Sequence, residues 1–553
     1  MLLLGWGALL TGLPCRADAE ADLGELAPFY RSTQLQGHLI GMGLVEIPDY
    51  LQAADIDLRY KKNPRLRSEI PFVDSFSIVR FLGGFNEEAL RRLNLADERW
   101  GKRSLDYAVK GADGALQFRP EMIRRRLEPY LQAGYRPQDI LISLSNVPWD
   151  VATIDGGPAK GGIWGRSSPP NLKEWRTVIS HFAEDLKQYL GNDAATAVSF
   201  KTGVEYDKKV SFDGTDAEFF RFYEATDRAL RSVLPNAVLS PGEFTAGGTC
   251  PAKLSDRCVY DTKDLLGFAN REQLKVGSVP RSLHSLFDRG NPSPRHTARR
   301  AEESYAGLPP GIAEIHQFGL LGEPFGLASG GNPGPLQANW EFQVMMQLQE
   351  RLKPRRVFHW GGLARVGQLQ FLNGSGFVRL LLDHYLGYRL YRLDTQDEFG
   401  RAGGTVSETL AVGLVGRNGS AVIVSSFSPQ PSKGTRTVEV TLPPNMLAHS
   451  SSGLRTLRYR ESDNVFGLIR ADLSADNNLK PEFVSCALCL GAPIRMALDP
   501  QRARPMLARN WGRYVEQMKK NLRWRAGGAD VAINGRVLRV EMEAGEMLVV
   551  DAR

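Results

Sequence analysis

From about residue 74 to residue 394, short apolar runs alternate with amphipathic stretches of helical period. This rhythm most narrows the folds open to the chain, because parallel strands need crossover connections and helices supply them. Residues 77–82, 139–145, 197–205, 237–240, 277–284, 312–318 and 356–360 read as strands. Residues 122–133 read as a helix. Between 171 and 190 the apolar residues Trp175, Ile179, Phe182 and Leu186 recur three or four apart, so one helical face is buried. Asn171 with Glu174 and Thr215 with Glu218 mark two helix starts, while Gly191 and Pro235 mark their ends. About seven or eight strand–helix units fit this span. No Gly-rich phosphate loop follows a strand, and polar and aromatic residues recur at strand ends. These features favour a closed (β/α)8 TIM barrel over an open doubly wound sheet.

The period changes after about residue 393. Residues 409–415, 421–425, 437–442 and 537–542 alternate apolar with polar positions, as antiparallel strands of a β-sandwich do. The expected organisation is therefore an α/β chain: an N-terminal segment at 20–75 packing on barrel or sandwich, a barrel at 76–394, and a β-sandwich at 395–553 with a basic helical insertion near 499–523. A second domain is required in any case, since single hydrophobic cores stop growing at roughly 250–300 residues and this chain has 553.

Hydrophobic residues make up 42% and charged residues 24%, the balance of a soluble globular protein. The net charge of +7 is spread over 69 basic and 62 acidic residues without a Lys/Arg block, which gives nucleic-acid binding little support. Residues 1–19 open on an apolar run and hold Ala17-Asp18-Ala19, a small-x-small pattern, so a signal peptide and a periplasmic or secreted location are expected. Cleavage there removes Cys15 and leaves Cys250, Cys258, Cys486 and Cys489, an even number entering an oxidising compartment and candidates for two local disulfides. Cys486 and Cys489 form a CxxC pair, but no second CxxC or clustered His completes a metal site. No metal and no cofactor is expected.

In a (β/α)8 barrel the reactive groups sit at the C-terminal ends of strands. Glu205 holds such a place, closing the run Phe200-Lys201-Thr202-Gly203-Val204-Glu205. Here the chain resembles glycoside hydrolase family 39, a clan A barrel family that includes β-xylosidases, α-L-iduronidase and hydrolases encoded with exopolysaccharide synthesis. The family's fourth strand ends in Asn-Glu-Pro, and Val204-Glu205-Tyr206 takes that place with only the Glu matching. The stretch from Glu218 to Thr226 resembles the helix that follows. Residues Leu266-Gly267-Phe268 through His284 resemble the sixth-strand region with its Ser-x-His ending. Phe358-His359-Trp360 looks like the eighth-strand aromatic that floors the sugar site.

The resemblance implies a glycosidase acting on a poly- or oligosaccharide, with Glu205 as acid/base and exopolysaccharide biosynthesis machinery as a further partner. Retaining hydrolysis needs a second carboxylate about 5 to 5.5 Å away as nucleophile. The seventh strand should supply it, yet Gln317-Phe318-Gly319 puts an amide at the expected position. Glu314 becomes the nucleophile if the register shifts, and Glu323 is reachable from the following loop. Arg80, Trp149, Tyr206, His284, Gln317, His359 and Trp360 are the candidate substrate-binding residues, with Trp164 a further stacking candidate. Each has a structural alternative, since strand ends also carry carboxylates that merely bind an Arg, and aromatics that merely pack. Gln317 motivates a second function from another class: a barrel that kept its groove, lost its nucleophile and binds carbohydrate.

Overall fold

The computed structural model describes residues 21–25, 36–37, 76–78, 81–85, 97–132, 136–152, 170–206, 212, 214–245, 262–286, 293–321, 334–359, 363–366, 369–372, 374–385, 387–397, 408–417, 419–429, 434–444, 446–447, 453–475, 482–485, 493–497, 505–506, 509–528 and 530–552. The expected signal peptide, Arg80, Trp164, Glu323, Trp360 and all four candidate disulfide cysteines lie outside these residues.

The architecture is mixed α/β. One sheet carries the parallel strands Gln36–Gly37, Phe76–Ile78, Ile140–Ser143, Ser199–Lys201 and Val238–Ser240, side by side in chain order. A second carries Phe244–Thr245, Val279–Leu286, Ala313–Leu321 and Val357–His359, again parallel and in chain order. The two sheets meet where Val238–Ser240 runs on into Phe244–Thr245, and Val204 and Glu243 form a parallel bridge beside that junction.

The crossover helices form where local signals start them. Asn171 accepts the backbone N–H groups of Lys173 and Glu174 and opens the helix Leu172–Leu190, whose Trp175, Ile179, Phe182 and Leu186 are buried. Thr215 and Glu218 form a reciprocal capping box at the start of Asp216–Val233. Such a cap is worth about 1 kcal/mol and sets the helix register against the sheet. Gly191 ends the first helix with a positive φ but an extended ψ, because a short helix, Asn192–Ala197, begins at once and replaces the start of the strand expected at 197–205.

After Arg389–Leu393 the strands are antiparallel. A seven-stranded sheet includes Ala21–Glu25, Arg389–Leu393, Glu408–Gly416, Gly419–Phe427 and Met547–Ala552, and a four-stranded sheet includes Thr435–Thr441 and Val537–Glu543. Val422, Val424, Leu548 and Val550 of the first share one buried cluster with Val438, Val440, Leu538 and Val540 of the second. The N-terminal segment thus serves both regions, since Ala21–Glu25 pairs with Arg389–Leu393 and Gln36–Gly37 with Phe76–Ile78. The basic stretch near 499–523 contains the helix Trp511–Asn521.

The helix Pro335–Arg351 joins the two regions and is buried nearly all round. Its polar residues are spent on that junction: Gln343 Nε2 donates to the carbonyls of Glu408 and Ser425, and Asn339 Nδ2 to those of Pro335 and Gly545. Unpaired, these buried amides would each cost on the order of 1–3 kcal/mol.

Candidate active site

Glu205 lies just past the C-terminal end of Ser199–Lys201, half-buried, with φ at +50°. A non-glycine residue there costs on the order of 1–2 kcal/mol and persists only where its surroundings over-determine it. The surroundings are aromatic. Tyr206 is buried against Phe212, Phe219 and Phe222, with ring centroids 5.4, 6.0 and 6.0 Å away. A Cβ on Gly203 would stand 2.2 Å from that tyrosine ring, so the glycine makes room for it. Tyr206, expected to line the sugar site, is therefore a core residue that anchors the turn carrying Glu205. The Glu205 carboxylate accepts a hydrogen bond from Ser282 Oγ at 2.8 Å.

The strand Ala313–Leu321 contains the decisive irregularity. Arg281 is level with Ile315 and Ser282 with Gln317, so His316 is an extra, unpaired residue. Ordinary alternation would send Glu314 and Gln317 to opposite faces; the bulge turns both inward, with Ile315 and Phe318 left to pack on the helices. Gln317, level with the serine that binds Glu205, donates from Nε2 to Glu243 Oε1 at 2.6 Å, and its Oε1 lies 2.9 Å from His284 Nε2. Glu243, fully buried, is also ion-paired with the fully buried Lys201.

Glu314 sits at the other end. It is the second residue of its strand, level with Pro280, and is fully buried. Arg356 holds it through two nitrogens at 2.9 and 3.2 Å, and Ser278 Oγ and His316 Nε2 contact it at 2.8 and 2.7 Å. Burial alone would raise its carboxyl, but Arg356 and the His316 hydrogen bond outweigh it and hold the group well below the usual carboxylate range. Burial pushes the His316 imidazole down against its bond to Glu314. The register shift that would make Glu314 the partner of Glu205 is not what the strand does: the bulge advances Gln317, and Glu314 stays near the strand start.

Asp106 ties together the loops that follow Phe76–Ile78 and Ile140–Ser143. Its two oxygens accept the backbone N–H groups of Gly84 and Trp149, each at 2.7 Å. Gly84 has φ +66°, and a Cβ there would meet the Val147 carbonyl at 2.3 Å, so the loops touch through backbone. Burial pushes the Asp106 carboxyl up to about 7, against the two N–H groups that favour its charge. Trp149 is half-buried; its Nε1 donates to the Phe85 carbonyl at 2.8 Å, and the Lys102 ammonium stands 4.7 Å over its ring. His359 contributes backbone to its strand.

Sequence reasoning overlooked Lys201, Glu243, Ser282 and Asp106. Ser240-Pro241-Gly242-Glu243 carried the available signal for one of them, a carboxylate just beyond a strand end. Among the described residues no cluster of His, Cys, Asp and Glu suited to a metal ion occurs, and no helix is long and apolar enough to cross a membrane.

No family model matches the chain. Along most of its length it superposes on a monomeric β-xylosidase from Caulobacter crescentus, with a TM-score of 0.58 and 14% identity, covering 96% of this chain and 97% of that one. A GH39 enzyme from Xanthomonas axonopodis pv. citri gives 0.52 at 12% identity, over 86% and 93%. The chain shares the fold of these two proteins. In sequence, 166 residues are 22% identical to an alpha-1,4-L-rhamnosidase of Formosa agariphila, 29% of this chain. The match spans 32% of that curated relative, about a third of its length.

Proposed function

We propose that the chain is a glycoside hydrolase in which Glu205 is the general acid. The parallel strands close into one (β/α)8 barrel at about 76–394, and the antiparallel sheets form a β-sandwich at 395–553. The observation that carries the reading is Glu205 itself: a half-buried carboxylate at a strand's C-terminal end, on strained backbone, accepting from the Ser282 hydroxyl. The likeness in fold to known glycosidases supports the same class of reaction.

A retaining route, which the family resemblance implies, uses a carboxylate where Gln317 stands, and an amide does not form the glycosyl ester. We therefore favour a single displacement. Glu205 protonates the departing glycosidic oxygen, the bond to the anomeric carbon breaks, and water attacks from the opposite face after losing a proton to a second carboxylate. Glu323 is the choice for that base, because it follows Leu321, the last residue of the strand bearing Gln317, by two positions. His284 and Gln317 contact sugar hydroxyls. Export, read from residues 1–19, places the reaction outside the cytoplasm.

The test is hydrolysis of a panel of acidic and neutral polysaccharides, followed by NMR of the first product formed. Inversion at the anomeric carbon, lost in both Glu205→Gln and Glu323→Gln, supports the reading; retention would restore the double-displacement route. The fixed amide at Gln317 also favours a carbohydrate-binding protein, and a polymer bound tightly without turnover would select that reading.

A further inference from the structure

Beside Glu205, four side chains from neighbouring segments form a chain of contacts whose directions are all dictated by its first member. Lys201 is fully buried and its ammonium only donates, and Glu243, ion-paired with it, turns acceptor oxygens to its neighbours. Gln317 lies 2.6 Å from Glu243 and must therefore turn its N–H2 toward it. That leaves the amide oxygen facing His284 Nε2 at 2.9 Å, and an amide oxygen only accepts. His284 must carry its proton on Nε2.

We propose that Lys201 and Glu243 are positioning residues: they fix which edge of the Gln317 amide faces His284 and hold neutral His284 in its Nε2-protonated tautomer. Two consequences follow for the reaction. His284 Nδ1 is then a lone-pair acceptor and not a proton donor, which leaves Glu205 as the acid at this end of the site. Position 317 also cannot hold a second charged carboxylate while Glu243 stands 2.6 Å away, because like charges at that distance do not both ionise. The amide is the neutral group that the ion pair beneath it requires.

The inference rests on the reading that His284 and Gln317 line the carbohydrate site, but its test needs no carbohydrate. The full chain, labelled with 15N in its eight histidines, is followed by long-range 1H–15N correlation at a pH where the imidazoles are neutral, with His284 assigned by its loss in His284→Gln. The expected pattern is a protonated Nε2 and a bare Nδ1. Glu243→Gln frees the amide to flip, and the His284 signals are expected to move toward the Nδ1-protonated form. A wild-type Nδ1 proton, or a folded Glu243→Gln variant with an unmoved tautomer, would overturn the proposal. Should Glu243→Gln fail to fold, Gln317→Met removes the acceptor and keeps the ion pair, and an unmoved tautomer there overturns it equally. Failure here leaves Glu205 as the acid untouched, whereas a Glu205→Gln variant that still cleaves polysaccharide would sink the functional reading without moving the tautomer.

Discussion

Glu205 and Glu314 are both carboxylates on the parallel strands, and they show what the two ends of those strands are for. Glu314, near the start of its strand, has an Arg, a His and a Ser on its oxygens and no exposure. Glu205, beyond the end of its strand, accepts from Ser282 Oγ and has partial exposure and a strained φ. Charge at the starting end is fully compensated and holds neighbouring strands together. At the finishing end the fold accepts a partly exposed carboxylate on strained backbone, the surroundings that the proton transfer proposed for Glu205 calls for.

The largest effect that would sharpen this contrast is on stability. Glu314→Gln leaves Arg356 without its counter-charge and His316 without its anionic hydrogen-bond partner, and a loss of about 3 kcal/mol is expected in denaturant unfolding, with any activity falling only as the folded fraction falls. A stable Glu314→Gln protein with abolished turnover would break the contrast and return Glu314 to the chemistry.

Asp106 provides the next effect, one that depends on pH. Its carboxyl rises from an ordinary 3.8 to about 7 in the fold, so the folded state binds the proton more tightly than the unfolded chain. The stability it contributes is full below about pH 4 and is lost as pH rises through about 7. Asp106→Asn should remove that slope. It should also start lower, since an amide accepts only one of the N–H groups of Gly84 and Trp149. Unfolding curves from pH 4 to 8 check it; parallel slopes for the two proteins would show that Asp106 does not titrate in this range.

The smallest effect is a gain. Glu205→Gly relieves the left-handed backbone and is expected to stabilise the protein by about 1 kcal/mol while removing the acid. A loss of stability would mean that the Ser282 bond outweighs the strain.

Much of this was legible from residue order, and the exceptions have physical reasons. The capping residues Asn171, Thr215 and Glu218 act within one helical turn, so spacing located both helices, although the Glu174 side chain pairs with Lys110 and does not close a capping box. Glu205 followed from its place after a strand. The choice between Gln317 and Glu314 at the level of Ser282 did not, because the bulge at His316 shifts the strand by one residue, and a period-two reading has no means of seeing an extra position. Tyr206 was misjudged because a residue beside a reactive group in sequence turns to the opposite side of the chain, here into a phenylalanine cluster. Lys201 and Glu243 escaped notice since their pairing joins residues 42 apart in sequence. A lysine inside a short apolar run reads as a strand edge until its buried partner is known.

The most direct test of the central claim sets Glu205→Gln beside the wild-type protein on the polysaccharide panel, at matched folded fraction. The expected result is reducing-end release by the wild type and a fall of about 10²–10⁴-fold in the variant, the range a general acid contributes, with unfolding midpoints unchanged or raised. Cleavage by Glu205→Gln at the wild-type rate would contradict the account.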